Sequence, residues 1–430
     1  MTDVYRHHVD FSDEYDGAGR LHDPARRCPG KRRTLRIRYH PSRRGGFDVE
    51  ASGTDLADDN AAGLFAHLDA EAADIHGWVD RLLGAWSEWL VDWPDPDKAR
   101  SFPFAEKVDH RDLDSELLRK MWQRLAEAGH KLFRLLFQGD EALEELGAAI
   151  ARALHAGDQV ITVSSDEVIV PWPMLYVPED VWADLPDDFE VDLDSFVGHR
   201  HLVEHAFALY GRHRNDVRIT GRIAAGAYYD AKLHRPAHHT LGSALEALNL
   251  HTRLERGTSA ARLSQRLRHD GANDHLVYFC CHCVTPPAGE ELLHFGVEAG
   301  ERVSASDLRA WLRRRFQHRP LVMINACGAG RIGRRSLRHF SSALLERGAG
   351  AVIGPVVNIP TAFAGAFAQD FFERVLPGHR PVQFATVTRD LVRGFAKEQH
   401  NLLALTYMLY QGIDGHFCRE EQDADAAAAG

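Results

Sequence analysis

From Gly157 onward the chain alternates short apolar runs with helical stretches, and this alternation restricts its fold more than any other feature. The apolar runs lie at 160–163, 168–170, 217–223, 275–281, 321–326 and 351–357. Helical periodicity falls between them, near 242–255, 259–269, 305–317, 340–347 and 362–376. Strands alternating with helices build a mainly parallel sheet covered on both faces, and strands buried on both faces read as continuous apolar runs. In the last helical stretch Phe363, Phe367, Phe371 and Val375 recur at four-residue steps, a core-packing stripe.

The first third of the chain reads differently. Runs at 34–39 and 47–51, separated by Pro41 and Gly45–Gly46, predict a β-hairpin. Helical spacing then covers 60–90 and 113–155, where Leu117, Met121, Leu125, Leu132, Leu135 and Leu136 share a face. Between them VDWPDPDKARSFPF, rich in proline and charge, reads as a linker. The expected division is therefore an irregular arm at 1–32, a hairpin and helical subdomain at 33–155, an α/β domain at 156–415 and a disordered tail at 416–430.

The chain has 430 residues and a formal net charge of −11, which argues against direct nucleic-acid binding. No stretch approaches the ~20 apolar residues of a membrane span, and MTDVYRHHVD lacks the apolar centre of a secretory signal, so a cytoplasmic location is expected. In a reducing compartment the six cysteines, at 28, 280, 281, 283, 327 and 418, stay thiols. Arginines cluster at 313–315 and again at 331, 334, 335 and 338, as solvated faces or as a dock for an acidic partner.

In open parallel sheets chemistry collects beyond the carboxyl ends of the strands, and two ends stand out: HLVYFCCHC and LVMINACGAG. Cys327 ends an apolar run and is followed by Gly-Ala-Gly, which lets the chain turn and expose a thiol. A thiol with a pKa near ~8.5 is only slightly ionised at neutral pH and needs an imidazole within reach to act as a nucleophile. His282 ends another run, 45 residues earlier, and the helix between them allows the two strands to lie side by side, parallel. This predicts a dyad of Cys327 as nucleophile and His282 as base, with backbone N–H groups of Cys283 and Cys327 holding the oxyanion and no residue assigned to orient the imidazole. Two rival readings are weaker. Successive residues of a strand face opposite ways, so Cys280, Cys281, His282 and Cys283 cannot converge on zinc, and no second pair of ligands exists. Gly328-Ala-Gly330-Arg-Ile-Gly333 spells a dinucleotide fingerprint, but no carboxylate ends the next strand. Neither a metal nor a cofactor is expected.

The arrangement resembles the caspase signature, Q-A-C-x-G with a histidine upstream, here written N-A-C-G-A-G. More specifically, residues 157–410 resemble the CHAT domain, a caspase-like protease family of bacteria. Cys280-Cys281-His282-Cys283 matches its Ala-Cys-His-Gly motif, and Ile324-Asn325-Ala326-Cys327-Gly328 its Leu-Ser-Ala-Cys motif. The run from Ala343 to Val357 is similar to its Ala-Gly-Ala passage. Val170-Pro171-Trp172-Pro173-Met174-Leu175 and Leu409-Tyr410-Gln411-Gly412 match two further elements in the family's order. The resemblance implies a caspase-like fold and a cysteine protease with a dedicated protein substrate. Relatives cleave gasdermin-like or CRISPR-linked proteins in bacterial defence, and activation by a partner or by loop cleavage is open. Two departures bear on this: Cys283 stands where the family has glycine, and Val357 with Pro360 or Thr361 where it has tryptophan and an acid. In caspase-like enzymes the position two before the nucleophile lines the primary pocket. Here it is the neutral Asn325, which implies a neutral or small P1 residue. A non-catalytic caspase-like scaffold that binds a partner is the alternative.

Overall fold

The computed structural model describes residues 32–54, 56, 63–94, 101–207, 216–234, 239–269, 273–284, 292–296, 299–326, 336–376 and 381–419. Cys28, Cys327, the arginines at 331–335, the Gly328–Gly333 motif and nearly all of the expected arm and tail lie outside the described residues. In chain order the first elements are β1 (Leu35–Pro41), β2 (Phe47–Gly53), β3 (Leu64–Leu68), α1 (Ala72–Leu90), α2 (Pro103–Glu106), α3 (Ser115–Phe137), α4 (Glu141–Ala156), β4 (Val160–Ser164), α5 (Val197–Arg200) and β5 (Leu202–Ala206). Then follow β6 (Asp216–Ile219), β7 (Ile223–Tyr229), α6 (His239–His251), β8 (Thr252–Gly257), α7 (Ala260–His269), β9 (Leu276–Val284), β10 (Leu292–His294), β11 (Arg302–Ser304), α8 (Ala305–Trp311) and β12 (Leu321–Ala326). The last are α9 (Ser336–Glu346), β13 (Ala351–Pro355), α10 (Thr361–Val375), α11 (Phe384–Gln399), β14 (Tyr407–Tyr410) and β15 (His416–Arg419).

One sheet carries nearly all the strands. Its C-terminal half runs β8-β7-β9-β12-β13, parallel throughout, and β14 closes it antiparallel to β13. The outer edge of β14 is not left bare: β5 pairs with it in parallel, followed by β4, β1, β2 and β3. The N-terminal hairpin therefore extends the same sheet. This is the α/β class expected from the alternation of apolar runs and helices.

The two faces of the sheet have separate cores. On β9, Leu276, Tyr278 and Cys280 pack into one, and Val277, Phe279, Cys281 and Cys283 into the other. Alternation along the strand produces this division. The first core contains Phe363, Phe367, Phe371 and Val375 of α10, all at most 7% exposed, with Phe367 stacked on Tyr407 at 3.7 Å. Helix α10 lies tight against α6, since a Cβ at Gly365 would come within 2.5 Å of Thr240.

Several local expectations are corrected. Residues 64–68 form a strand paired with β2, so the first long helix begins at Ala72 and not near 60. The run 168–170 is no strand; Pro171 and Pro173 turn it into a 3-10 turn at Trp172–Met174, and Trp172 is buried against Phe133 and Phe137 of α3. The run 217–223 splits at Gly221, which has φ of +84°, into the end of β6 and the start of β7. His416–Arg419, where the tail was expected to begin, pairs in parallel with β6.

Buried histidines make this fold acid-sensitive. Burial, reinforced by His318, pushes His275 down to about 4, and burial with Arg200 pushes His201 down to about 3. Burial also lowers His110, His130 and His199. A histidine whose folded pKa lies below the unfolded value of ~6.5 supplies stability above that value and loses it as pH falls toward the folded one. Asp274, pushed by burial up to about 6 despite Arg266 at 2.8 Å, acts in the opposite sense between its unfolded value and 6. The histidines outnumber it. Urea midpoints should therefore fall between pH 6.5 and 4, equivalent to a net loss of about 3 kcal/mol. A flat profile over that range would contradict the assignment.

Candidate active site

The carboxyl ends of β7, β9 and β12 lie side by side. Tyr229 is level with Cys280, Cys280 with Asn325, and Cys281 with Ala326, the last residue of β12. Sequence reasoning ended the central strand near Cys281. The structure carries it to Val284, because β10 pairs with the extension antiparallel: Val284 faces Leu292, Cys283 faces Leu293 and His282 faces His294. The extension follows from this added partner strand, which the sequence did not reveal.

His282 shares a face with Tyr278 and Cys280 but stands beyond the core, with its side chain 33% exposed. It thus reaches solvent at this end of the sheet. Its Nε2 lies 3.8 Å from Oδ2 of Asp230, inside ion-pairing range and beyond hydrogen-bond distance. Asp230 is a candidate that sequence reasoning missed. It follows β7 directly, is 4% exposed, and is pinned twice. Its N–H donates to the carbonyl of Cys280 at 3.0 Å, and its Oδ1 accepts from the N–H of Lys232 at 2.9 Å. The second oxygen is left facing the imidazole. The signal was present in the sequence, a carboxylate ending the run 223–229, but IAAGAYY is too rich in alanine and glycine to read as a strand.

The other candidates fall in different surroundings. The Cys283 thiol is buried, 2% exposed, on the face opposite His282. Burial drives the Cys281 thiol well above its ordinary range, which leaves it protonated and inert. Asn325, expected to line a substrate pocket, is 0% exposed. Its Nδ2 donates to the carbonyl of Ala364 at 2.8 Å and to the Tyr278 hydroxyl at 3.3 Å, and its Oδ1 accepts from the Tyr407 hydroxyl at 2.8 Å. The amide is spent on tying β12 to α10 and β14, so the pocket assignment is corrected to an internal one. Arg313–Arg315 are exposed and lie before the first residue of β12, at the end of the sheet away from His282, so they do not flank the site. Among the described residues no helix is long and apolar enough to cross a membrane.

No curated protein matches the chain. Among solved structures, the Saccharomyces cerevisiae separase–securin complex at 2.6 Å resolution superposes with a TM-score of 0.47 and 10% identity, over 90% of this chain and 30% of that one. The same complex at 3.0 Å gives 0.37 and 10%, over 80% and 22%. The chain thus spans less than a third of the length of the chains it resembles. The family model for the CHAT domain matches residues 228–390, the segment that runs from the end of β7 through β9 and β12 into α11.

Proposed function

We propose that the protein is a cysteine endopeptidase of the caspase-like type, in which Cys327 attacks the scissile carbonyl and His282 manages the proton. The observation that carries the reading is the register of β9 against β12. Ala326 is level with Cys281 and Asn325 with Cys280, and the next position of that register on β9 is His282, which is why the residue after Ala326 is assigned as its partner. Asp230 orients the imidazole from beneath. In this scheme the sulfur–carbon bond forms as His282 takes the thiol proton, and N–H groups of Cys283 and Cys327 cradle the oxyanion. The peptide C–N bond then breaks, His282 returns the proton to the leaving amine, and water hydrolyses the thioester.

A dedicated protein substrate in a cytoplasmic defence or cell-death pathway, gasdermin-like or CRISPR-linked, is the setting that the family resemblance supports. The chemistry is tested by incubating the purified protein with a proteome-derived peptide library and identifying new termini by mass spectrometry. Cleavage is expected for the natural chain and none above background for Cys327→Ala. Equal cleavage by both would refute the reading, and cleavage by neither would favour the partner-binding scaffold, for which Cys283 in place of glycine speaks.

A further inference from the structure

The strands added beyond the parallel sheet bring a cation to the edge of this site. In β9, β10 and β11 the register places His282 opposite His294 and His294 opposite Arg302. Residues directly opposite in antiparallel pairs project from the same face, so the three side chains form a row across it. The electrostatics agree with the row: His294 lies in the fields of Arg302, His282 and Asp230, and burial, with Arg302 and His282 beside it, lowers its pKa, so it stays neutral near pH 7. Its Nε2 is buried with no hydrogen-bond partner among the described residues.

Arg302 at the end of the row is exposed, and among the described residues it has no ion-pair partner. The carboxylate of its neighbour Glu301 accepts from the N–H of Ala260 at 2.7 Å, at the start of α7, and forms no ion pair with it. Asp230, the carboxylate of the site, is buried and directed at His282. Among the described residues the charge at the outer end of the row is therefore positive. Two strand spacings separate the Arg302 and His282 backbones, about 10 Å, and an extended peptide covers that in about three residues.

We infer that Arg302 is a specificity determinant that selects substrates with an acidic side chain two to four residues from the scissile bond, with His294 as the neutral link between it and His282. This rests on the endopeptidase reading above and narrows it to a substrate class. An exposed charge pair of this kind changes affinity by about fivefold and weakens with salt.

Two measurements separate the inference from the reading beneath it. In the first, kcat/KM is compared for cleaved peptides with Asp, Gln or Lys scanned through four positions on either side of the bond. The natural chain should favour Asp over Gln by about fivefold at one of the positions two to four residues away. Arg302→Gln should lose that preference, and Arg302→Glu should exchange it for Lys. In the second, the same peptides are bound to Cys327→Ala protein, with and without Arg302→Glu, and followed by fluorescence anisotropy at 50 and 300 mM salt. Binding of the Asp peptide should fall about fivefold with the charge reversal and with added salt. Cleavage with an unchanged profile in Arg302→Gln overturns the inference while the protease stands. Arg302-dependent binding without any cleavage by the natural chain supports the inference while the protease reading falls.

Discussion

His282→Ala should lower kcat/KM for a cleaved peptide by about 10⁴-fold and Asp230→Asn by about 10²-fold, with the fold unchanged in both. Positioned proton transfer contributes about 10²- to 10⁴-fold, and a thiol without its base is a poor nucleophile at neutral pH. The smaller effect is expected of Asp230 because it would act only through His282, whose Nε2 it faces at 3.8 Å, beyond hydrogen-bond distance. Asparagine is the informative replacement. It keeps an acceptor for the Lys232 N–H, so the turn after β7 survives, and it removes only the negative charge facing the ring. Asp230→Ala removes both and should also loosen that turn. Activity of Asp230→Asn within threefold of the natural chain would remove the carboxylate from the mechanism.

The second large effect concerns stability. Asn325→Leu, of similar volume, should destabilise the protein by about 3 kcal/mol, read as a lowered urea midpoint with an unchanged slope. Asn325 satisfies the Tyr407 hydroxyl, and its own donors go to Ala364 and Tyr278. A buried polar group deprived of its partner costs about 1–3 kcal/mol, and at least two are orphaned here. Because Asn325 ties β12 to α10, β9 and β14, its loss should also perturb the end of β12. A pocket-lining residue would behave differently, with peptide preference changed and stability preserved.

The contrast between His282 and Asn325 shows where the sequence was legible. The strand 321–326 and the core of its parallel neighbour β9 could be read because buried parallel strands are continuous apolar segments, and the one helix between them allows their adjacency. Asp230 was illegible because its strand, IAAGAYY, has little β-branched character and is held by its neighbours β8 and β9. The three-residue strands β10 and β11 carry too few residues for any periodicity, yet they extend β9 past His282 and bring in Arg302. Asn325 was misjudged because position along a strand does not reveal burial; α10 covers it, and only packing shows that. The tail was misplaced at 416 because four residues, HFCR, pair with the distant strand β6.

The central claim, that a sulfur and an imidazole from different strands meet at one end of the sheet, is tested most directly by alkylation. The rate of modification of each cysteine by a peptidyl chloromethyl ketone is measured by mass spectrometry in the natural chain and in His282→Ala. The account predicts that Cys327 reacts at least about tenfold faster than Cys28, Cys280, Cys281, Cys283 and Cys418, and that the advantage disappears without His282. Equal rates at all exposed thiols, or an advantage of Cys327 that survives the loss of His282, would contradict it.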